Sequence, residues 1–435
     1  MSDPVTLTII GLAVTFALVL FHVPIGIAMG VAGVGGFALL AGWPPALAMM
    51  ASEAANTFSS LDLLTIPLFV LMGAFANVAG LSEDLYRLAY ALFGHKRGGL
   101  AMATIGGCAG FGAVCGSSVA TAATFGKASL PSMLRRGYDP GFAAGTVASG
   151  GTLGILIPPS SVIVIYAVLA QELIVTMYVA ALLPAAIAIV FYFTAIHLYT
   201  RWRPEHAPVG EKASMAERLQ AAGQSWQVIL LAIAVVGGMA FGVFTATEAA
   251  AVGATLAFMF AAFRRTLTLA GIRQVMTGTA ATSAMIYVLI IGASLFGYFA
   301  AITQAPQALI TAVHDSKIPV WLALSIIVVM FIIAGAFFDE MAAMVIAMPF
   351  VLPLVISWGF DPIWWGVINV VLIEIGMLAP PLGMNVFVVY GVADKRIPLT
   401  GIYRGVTPYL LANFLRLGVL LAFPVLALWL PAAIK

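Results

Sequence analysis

Hydrophobic runs close to the roughly 20 residues that cross a bilayer's hydrocarbon core follow one another along almost all of this 435-residue chain. The longest polar stretch is 201–227. Lipid offers backbone N–H and C=O groups no partner, so spanning segments must be helices or closed barrels, and runs this continuous read as helices. With 63% hydrophobic and 8% charged residues, against about a quarter charged in ordinary soluble domains, a soluble globular fold is excluded. The expectation is an all-α polytopic membrane protein with no soluble domain attached. Its net charge of +2 is scattered among loops and forms no basic patch, so nucleic acid is not an expected partner. Cys108 and Cys115 share one apolar segment and read as small packing hydrophobes, and the five histidines lack metal-ligand spacing, so no transition-metal site is expected. The N-terminus lacks the positive start of a signal peptide, and its hydrophobic stretch is expected to remain as a helix.

Two of the hydrophobic segments carry the same interruption, Gly154-Ile-Leu-Ile-Pro158-Pro159 and Gly376-Met-Leu-Ala-Pro380-Pro381. A proline has no N–H for the carbonyl four residues back, so the breaks release the carbonyls of Gly154 and Ile155, and of Gly376 and Met377. Such carbonyls are tolerated at membrane depth where they line a cavity or hold an ion, and paired broken segments in two halves point to secondary transport.

Lysine and arginine mark the cytoplasmic side. Fifteen of the 19 fall into five clusters, around Arg87, Lys96 and Arg97; Arg135 and Arg136; 201–218; 264–273; and 395–404. Between the first two clusters only about 36 residues are available, fewer than the 40 or more that two crossings and a turn require, so 99–134 reads as a re-entrant hairpin with its tip at Gly116-Ser117-Ser118. Crossings are expected near 5–22, 26–42, 65–90, 139–170 (broken) and 175–200. In the second half they fall near 226–244, 247–263, 278–300, 362–390 (broken) and 405–432, with a second hairpin at 319–357. Stretches 45–60 and 267–277 read as interfacial helices. Both termini are then periplasmic.

Sliding the chain on itself reveals a repeat offset by 222 residues: Pro131 meets Pro353, and Gly137, Asp139 and Pro140 meet Gly359, Asp361 and Pro362. Gly154, Leu156, Pro158 and Pro159 likewise meet Gly376, Leu378, Pro380 and Pro381. Eight identities in 29 positions exceed the roughly two expected by composition. An odd number of crossings per copy inverts the second. The expected organisation is a first repeat at 1–200 (scaffold helices 5–60, hairpin 99–134, broken helix 139–170), a cytoplasmic connection at 201–225, and a second repeat at 226–435 (scaffold helices 226–277, hairpin 319–357, broken helix 362–390). Substrate and coupling ions would bind where the two broken elements meet.

A hard cation such as sodium needs oxygen ligands. Ser117 and Ser118 at the first tip can face the carbonyls around Gly154, with Ser149 and Thr152 nearby. Asp339 and Glu340 stand at the equivalent second tip, and a carboxylate at bilayer depth is a functional candidate by default. Glu374, which aligns with Thr152, fits either a ligand role or a buried structural one. Lys127, alone within the first hairpin, is expected to snorkel, and Glu248 to cap a helix.

The run GSSVATAATFGKASLPSMLRRGYDPGFAAGTVASGGTLGILIPPSS from Gly116, GAFFDEMAAMVIAMPFVLPLV from Gly335 and GMLAPPLGMNVFVV from Gly376 resembles the large membrane subunit of tripartite ATP-independent periplasmic (TRAP) transporters. The likeness covers essentially the whole chain. It implies an elevator-type ion-transporter architecture in the bacterial inner membrane, importing an organic anion such as a dicarboxylate or sialic acid with sodium. It also implies two companions, a small four-helix membrane subunit and a soluble periplasmic binding protein. The small subunit is expected to be a separate chain. Carried over from the resemblance, one sodium site would use Ser117, Ser118, Gly154, Ile157 and Pro159. A second would use Gly335, Asp339, Gly376, Ala379 and Pro381. Ser149, Thr152, Glu374 and Asn385 are the candidate substrate residues. Where relatives carry Ile-Ser-Gly-Ser-Ser, this chain has Val114-Cys115-Gly116 before Ser117. A stand-alone divalent-anion symporter shares the inverted-repeat plan, while an intramembrane enzyme would need a catalytic motif, and no HExxH or GxSxG occurs.

Overall fold

The computed structural model describes residues 4–210, 212–338 and 340–434. The first half comprises α1 (Pro4–Leu20), α2 (Ile25–Ala41), α3 (Trp43–Ser59), α4 (Thr65–Val78), α5 (Leu81–Phe93), α6 (Gly99–Cys115), α7 (Ser118–Arg135), α8 (Pro140–Leu156), α9 (Ser161–Ala170) and α10 (Ile174–Trp202). A short helix, α11 (Met215–Gln224), links the halves. The second half comprises α12 (Trp226–Ala232), continued through a π-helical turn into α13 (Gly238–Ala240), then α14 (Ala246–Phe263), α15 (Leu269–Ile302), α16 (Ala305–Asp315), α17 (Val320–Phe337), α18 (Ala342–Ser357), α19 (Pro362–Gly376), α20 (Met384–Val392), α21 (Leu399–Ala422) and α22 (Val425–Ile434). Among the described residues six helices are long and apolar enough to cross a membrane, or eight if two bent pairs each count as one span.

The 222-residue register found in the sequence organises nearly every element. Advancing α6, α7, α8, α9 and α10 by that offset lands on α17, α18, α19, α20 and α21, and α5 lands on α16. The same local chemistry starts the paired helices α8 and α19. Asp139 Oδ1 accepts the Phe142 N–H and Asp361 Oδ1 the Ile363 N–H, both at 2.7 Å, and a proline follows each cap where its missing N–H costs nothing. Each hairpin packs on the broken helix of its own half, α6 and α7 on α8, α17 and α18 on α19. The halves then exchange arms: α20 packs on α7 and α8, while α9 packs on α18 and α19.

Several boundaries depart from the sequence expectation. The crossing expected at 65–90 is two helices, because Gly80 takes a left-handed conformation (φ 74°) between α4 and α5. The interfacial helix expected at 267–277 is instead the first part of the unbroken 34-residue α15. The crossing expected at 405–432 begins earlier, at Leu399, and breaks at Phe423-Pro424 into α21 and α22. In the first half, the stretch corresponding to α15 is divided, with the helix pair 43–59 and 62–78 bent by 62°. The connection after α10 is also ordered: the Asp139 N–H donates to the His206 carbonyl at 3.0 Å, and a capping box between Ser214 and Glu217 starts α11. Those capping hydrogen bonds hold the exposed Glu217 carboxyl below its ordinary range. Glu248 completes a second capping box with Thr245 at the start of α14.

Close helix contacts are made by glycine. On α2, a Cβ added at Gly26 or Gly33 would lie 2.5 or 2.6 Å from the backbone of α15, and Gly141 and Gly145 of α8 meet Gly401 and Gly405 of α21 in the same way. In lipid, where apolar burial gives no advantage over the acyl chains, small residues that let backbones approach are what binds helices together.

Candidate substrate and ion site

The tip of the first hairpin is pressed into the first break. Gly116, at φ 66°, turns the chain from α6 to α7, and its carbonyl accepts both the N–H and the hydroxyl of Ser161, at 3.4 and 3.2 Å. Ser117 caps α7, its Oγ accepting the Ala120 N–H at 3.4 Å, while its carbonyl accepts the Thr121 hydroxyl at 2.7 Å. Gly154 faces the same atoms: a Cβ there would lie 2.7 Å from both the Ser117 carbonyl oxygen and Thr121 Oγ1. At Gly116 a Cβ would lie 2.4 Å from the Pro159 carbonyl oxygen. The structure thus gathers Ser117, Gly154 and Pro159 around a set of hydroxyl and carbonyl oxygens of the kind a hard cation requires. Thr121 joins them, and sequence reasoning missed it although it lies one helical turn beyond Ser117.

The second hairpin repeats the approach with fewer hydroxyls. Gly335 packs on Gly376, where a Cβ would meet the Gly335 backbone at 2.6 Å. Asp339, the acid assigned to this site, lies outside the described residues. The carbonyls expected to be free at this break both have backbone partners: Gly376 accepts the Ala379 N–H at 3.1 Å and Met377 the Asn385 N–H at 3.2 Å. The gap from Met377 to Gly383 is longer than the gap from Ile157 to Ser160, and the extra residues fold the chain back onto those carbonyls. Each carbonyl retains a second lone pair.

The two tips face one cavity of about 660 Å³. Its wall includes Cys115 and Ser117 from the first hairpin, Glu340 and Met341 from the second, Ser161 and Met384 beyond the breaks, and the scaffold helices α4 and α15. Four helix N-termini therefore reach it, those of α7, α9, α18 and α20, each presenting the positive end of a helix dipole. Asn77, Gln274, Thr279 and Thr282 add neutral polar groups. Among the described residues no lysine, arginine or histidine lies on this wall, and no group of three or more His, Cys, Asp and Glu could hold a metal. Lys127 is exposed on α7, away from it. A second cavity, also about 660 Å³, lies farther along α15 and is lined by Glu53, Asn56, Tyr298, Gln307 and Met348 among others.

The four substrate candidates Ser149, Thr152, Glu374 and Asn385 are not on the cavity wall. All are fully buried behind it. Asn385 of α20 braces the two halves, its Nδ2 donating to Ser118 Oγ at 2.7 Å and to the Ala148 carbonyl at 3.0 Å, which also directs Ser118 toward Asn385. Thr152 donates to the Ser149 carbonyl at 2.8 Å and meets the Tyr192 hydroxyl at 3.2 Å. Glu374 is paired with Arg416 of α21, both with no exposed side-chain surface. Asn413 Nδ2 donates to the same Tyr192 hydroxyl at 2.9 Å. Arg416 was the missed partner. Its signal was available as a lone arginine inside an expected crossing, where an ionisable group needs a named partner.

Comparison with known proteins agrees with this architecture. The family profile described as "Tripartite ATP-independent periplasmic transporter, DctM component" matches residues 12–426. A C4-dicarboxylate TRAP transporter large permease protein of Pseudomonas aeruginosa is 33% identical over 398 residues, covering 91% of this chain and 92% of that protein. A sialic acid TRAP transporter large permease protein of Vibrio cholerae is 30% identical over 385 residues, 88% of each. An ectoine TRAP transporter large permease protein of Halomonas elongata is 27% identical over 98% of this chain and 99% of its own length. Among solved structures, the Alcanivorax borkumensis YdaH transporter shares the fold, with TM-score 0.59 at 16% identity over 88% of this chain and 89% of that one. These relatives are transporter permease subunits and not enzymes, which removes the intramembrane-enzyme alternative. The chain belongs to the DctM-component family of tripartite ATP-independent periplasmic transporters, as a large permease subunit.

Proposed function

We propose that this subunit carries a small organic acid across the bacterial inner membrane with sodium, receiving it from a periplasmic binding protein and working beside a small membrane subunit. The observation that carries the reading is the cavity between the hairpin tips, reached by four helix N-termini, with Ser117 and Pro159 on its wall and Thr121 and Gly154 packed behind Ser117. The helix dipoles suit a carboxylate and the oxygens suit sodium, so substrate and ion stabilise each other's charge across a short distance. The names of relatives carrying dicarboxylates, sialic acid and ectoine support the substrate class.

The cavity reaches Asn77 and Gln274, at helix ends close in sequence to Arg87, Arg264 and Arg273. With basic residues retained inside, we read this as an inward-facing arrangement. The hairpins and broken helices would move together as an elevator against a scaffold containing α2, α4, α14 and α15. The first sodium ion would be held by Ser117, Ser118 and the backbone of Gly154, Ile157 and Pro159, and the second by Gly335, Asp339, Gly376, Ala379 and Pro381.

Uptake should be measured in liposomes containing the subunit, its small partner and the binding protein. A sodium gradient is expected to be required, and Ser117→Ala or Asp339→Ala to abolish sodium-dependent uptake. Full-rate transport without sodium would refute the coupling, and uptake by this chain alone would refute the need for partners. Gly154→Ala is expected to weaken sodium activation about tenfold, because its methyl meets two oxygens whose displacement costs about 1–3 kcal/mol. Gly223→Ala, with nothing within 4 Å, should leave uptake unchanged.

A further inference from the structure

A cavity that receives an organic anion would be expected to carry a basic side chain. This one carries an acid. Among its described wall residues Glu340 alone has a charged side chain, and it is 9% exposed, so bulk water screens it poorly. It stands just before α18, where the helix dipole offsets part of its charge. Cys115, on the opposing tip, lines the same cavity, which places the charge between the hairpins and not in the lipid-facing surface.

Resting on the proposed transport of an organic acid, we propose that Glu340 selects a zwitterion, a substrate that pairs a carboxylate with a cationic nitrogen. The carboxylate end would lie at the helix N-termini around Ser117 and Ser161, and the nitrogen at Glu340. A dianion would set its second carboxylate against the like charge of Glu340. At an effective dielectric near 20, two like charges about 6 Å apart weaken binding about a hundredfold, and the same separation between opposite charges favours it comparably.

Two probes isolate the term: 4-aminobutyrate and glutarate have the same three-methylene spacer and differ in one end, ammonium against carboxylate. Binding of each radiolabelled probe is measured on the intact chain in lipid nanodiscs with sodium present. The wild type is expected to prefer 4-aminobutyrate at least tenfold. Glu340→Gln should erase or reverse that preference, and Glu340→Asp should largely keep it, which also controls for misfolding. A wild-type preference for glutarate, no measurable binding of 4-aminobutyrate, or a ratio unchanged in Glu340→Gln while sodium activation shifts would overturn the assignment, the last by making Glu340 an ion ligand. Sodium-driven uptake of a dicarboxylate by the full assembly would sink the zwitterion and leave the transport function standing. Absence of sodium-driven uptake of any carboxylate would sink both.

Discussion

Arg416→Met is expected to destabilise the protein by about 3–5 kcal/mol, the cost of leaving Glu374 charged and unpaired in a dry bundle. Neither side chain of the pair has exposed surface, and water cannot relax around the survivor. Several of the surrounding polar groups are engaged with one another. Tyr192 receives Asn413 and meets Thr152, while Thr146 and the Tyr409 hydroxyl lie 2.7 Å apart one layer away. The double variant Arg416→Met with Glu374→Leu removes both charges and is expected to recover most of the loss, since apolar replacements of buried pairs are often neutral or better. Equilibrium unfolding in mixed detergent micelles tests this. Equal losses in the single and double variants would show that packing, and not charge pairing, is what Arg416 contributes.

Gly292→Ala and Gly405→Ala are expected to prevent accumulation of folded protein. A methyl at Gly292 would lie 1.9 Å from the Gly26 carbonyl oxygen, and one at Gly405 1.9 Å from that of Gly141. Both obstacles are backbone, so relief requires α2 to separate from α15, or α8 from α21. Ordinary overpacking costs about 1–3 kcal/mol where side chains can adjust. Here the helices themselves must shift. Gly297→Ala, on the same helix as Gly292 but with nothing within 4 Å, should behave as wild type. Size-exclusion profiles after detergent extraction separate these outcomes, and a monodisperse Gly292→Ala peak at the wild-type position would contradict the packing argument.

The parts of the fold that were legible from sequence are those written in local chemistry. Asp-Pro at 139 and 361 starts helices, Pro-Pro at 158 and 380 ends them, and the glycine and serines at 116–118 turn a hairpin. All of these act within a few residues. The length of α15 was not legible, because 267–277 lies outside the window needed to cross the hydrocarbon core, and nothing local to it distinguishes a separate helix from an extension of the crossing. The division of the site was not legible either. Asn385 and Ser118 are 267 residues apart, and Glu374 and Arg416 are 42 apart. Polarity at depth identified each as a candidate, but only tertiary packing separates residues that face the cavity from residues that brace the wall behind it.

The unbroken α15 sets a length scale for transport. At 34 residues it is about 51 Å long, well beyond a hydrocarbon core of about 30 Å. Thr279 borders the first cavity and Ser294 the second, so both openings are arrayed along one rigid rod, about 22 Å apart along its axis. The opposite wall, α4, joins α3 through the 62° bend and has no such continuity. On the proposed elevator mechanism this spacing along α15 would set the scale of the stroke, a distance counted in helical turns of one unbroken helix.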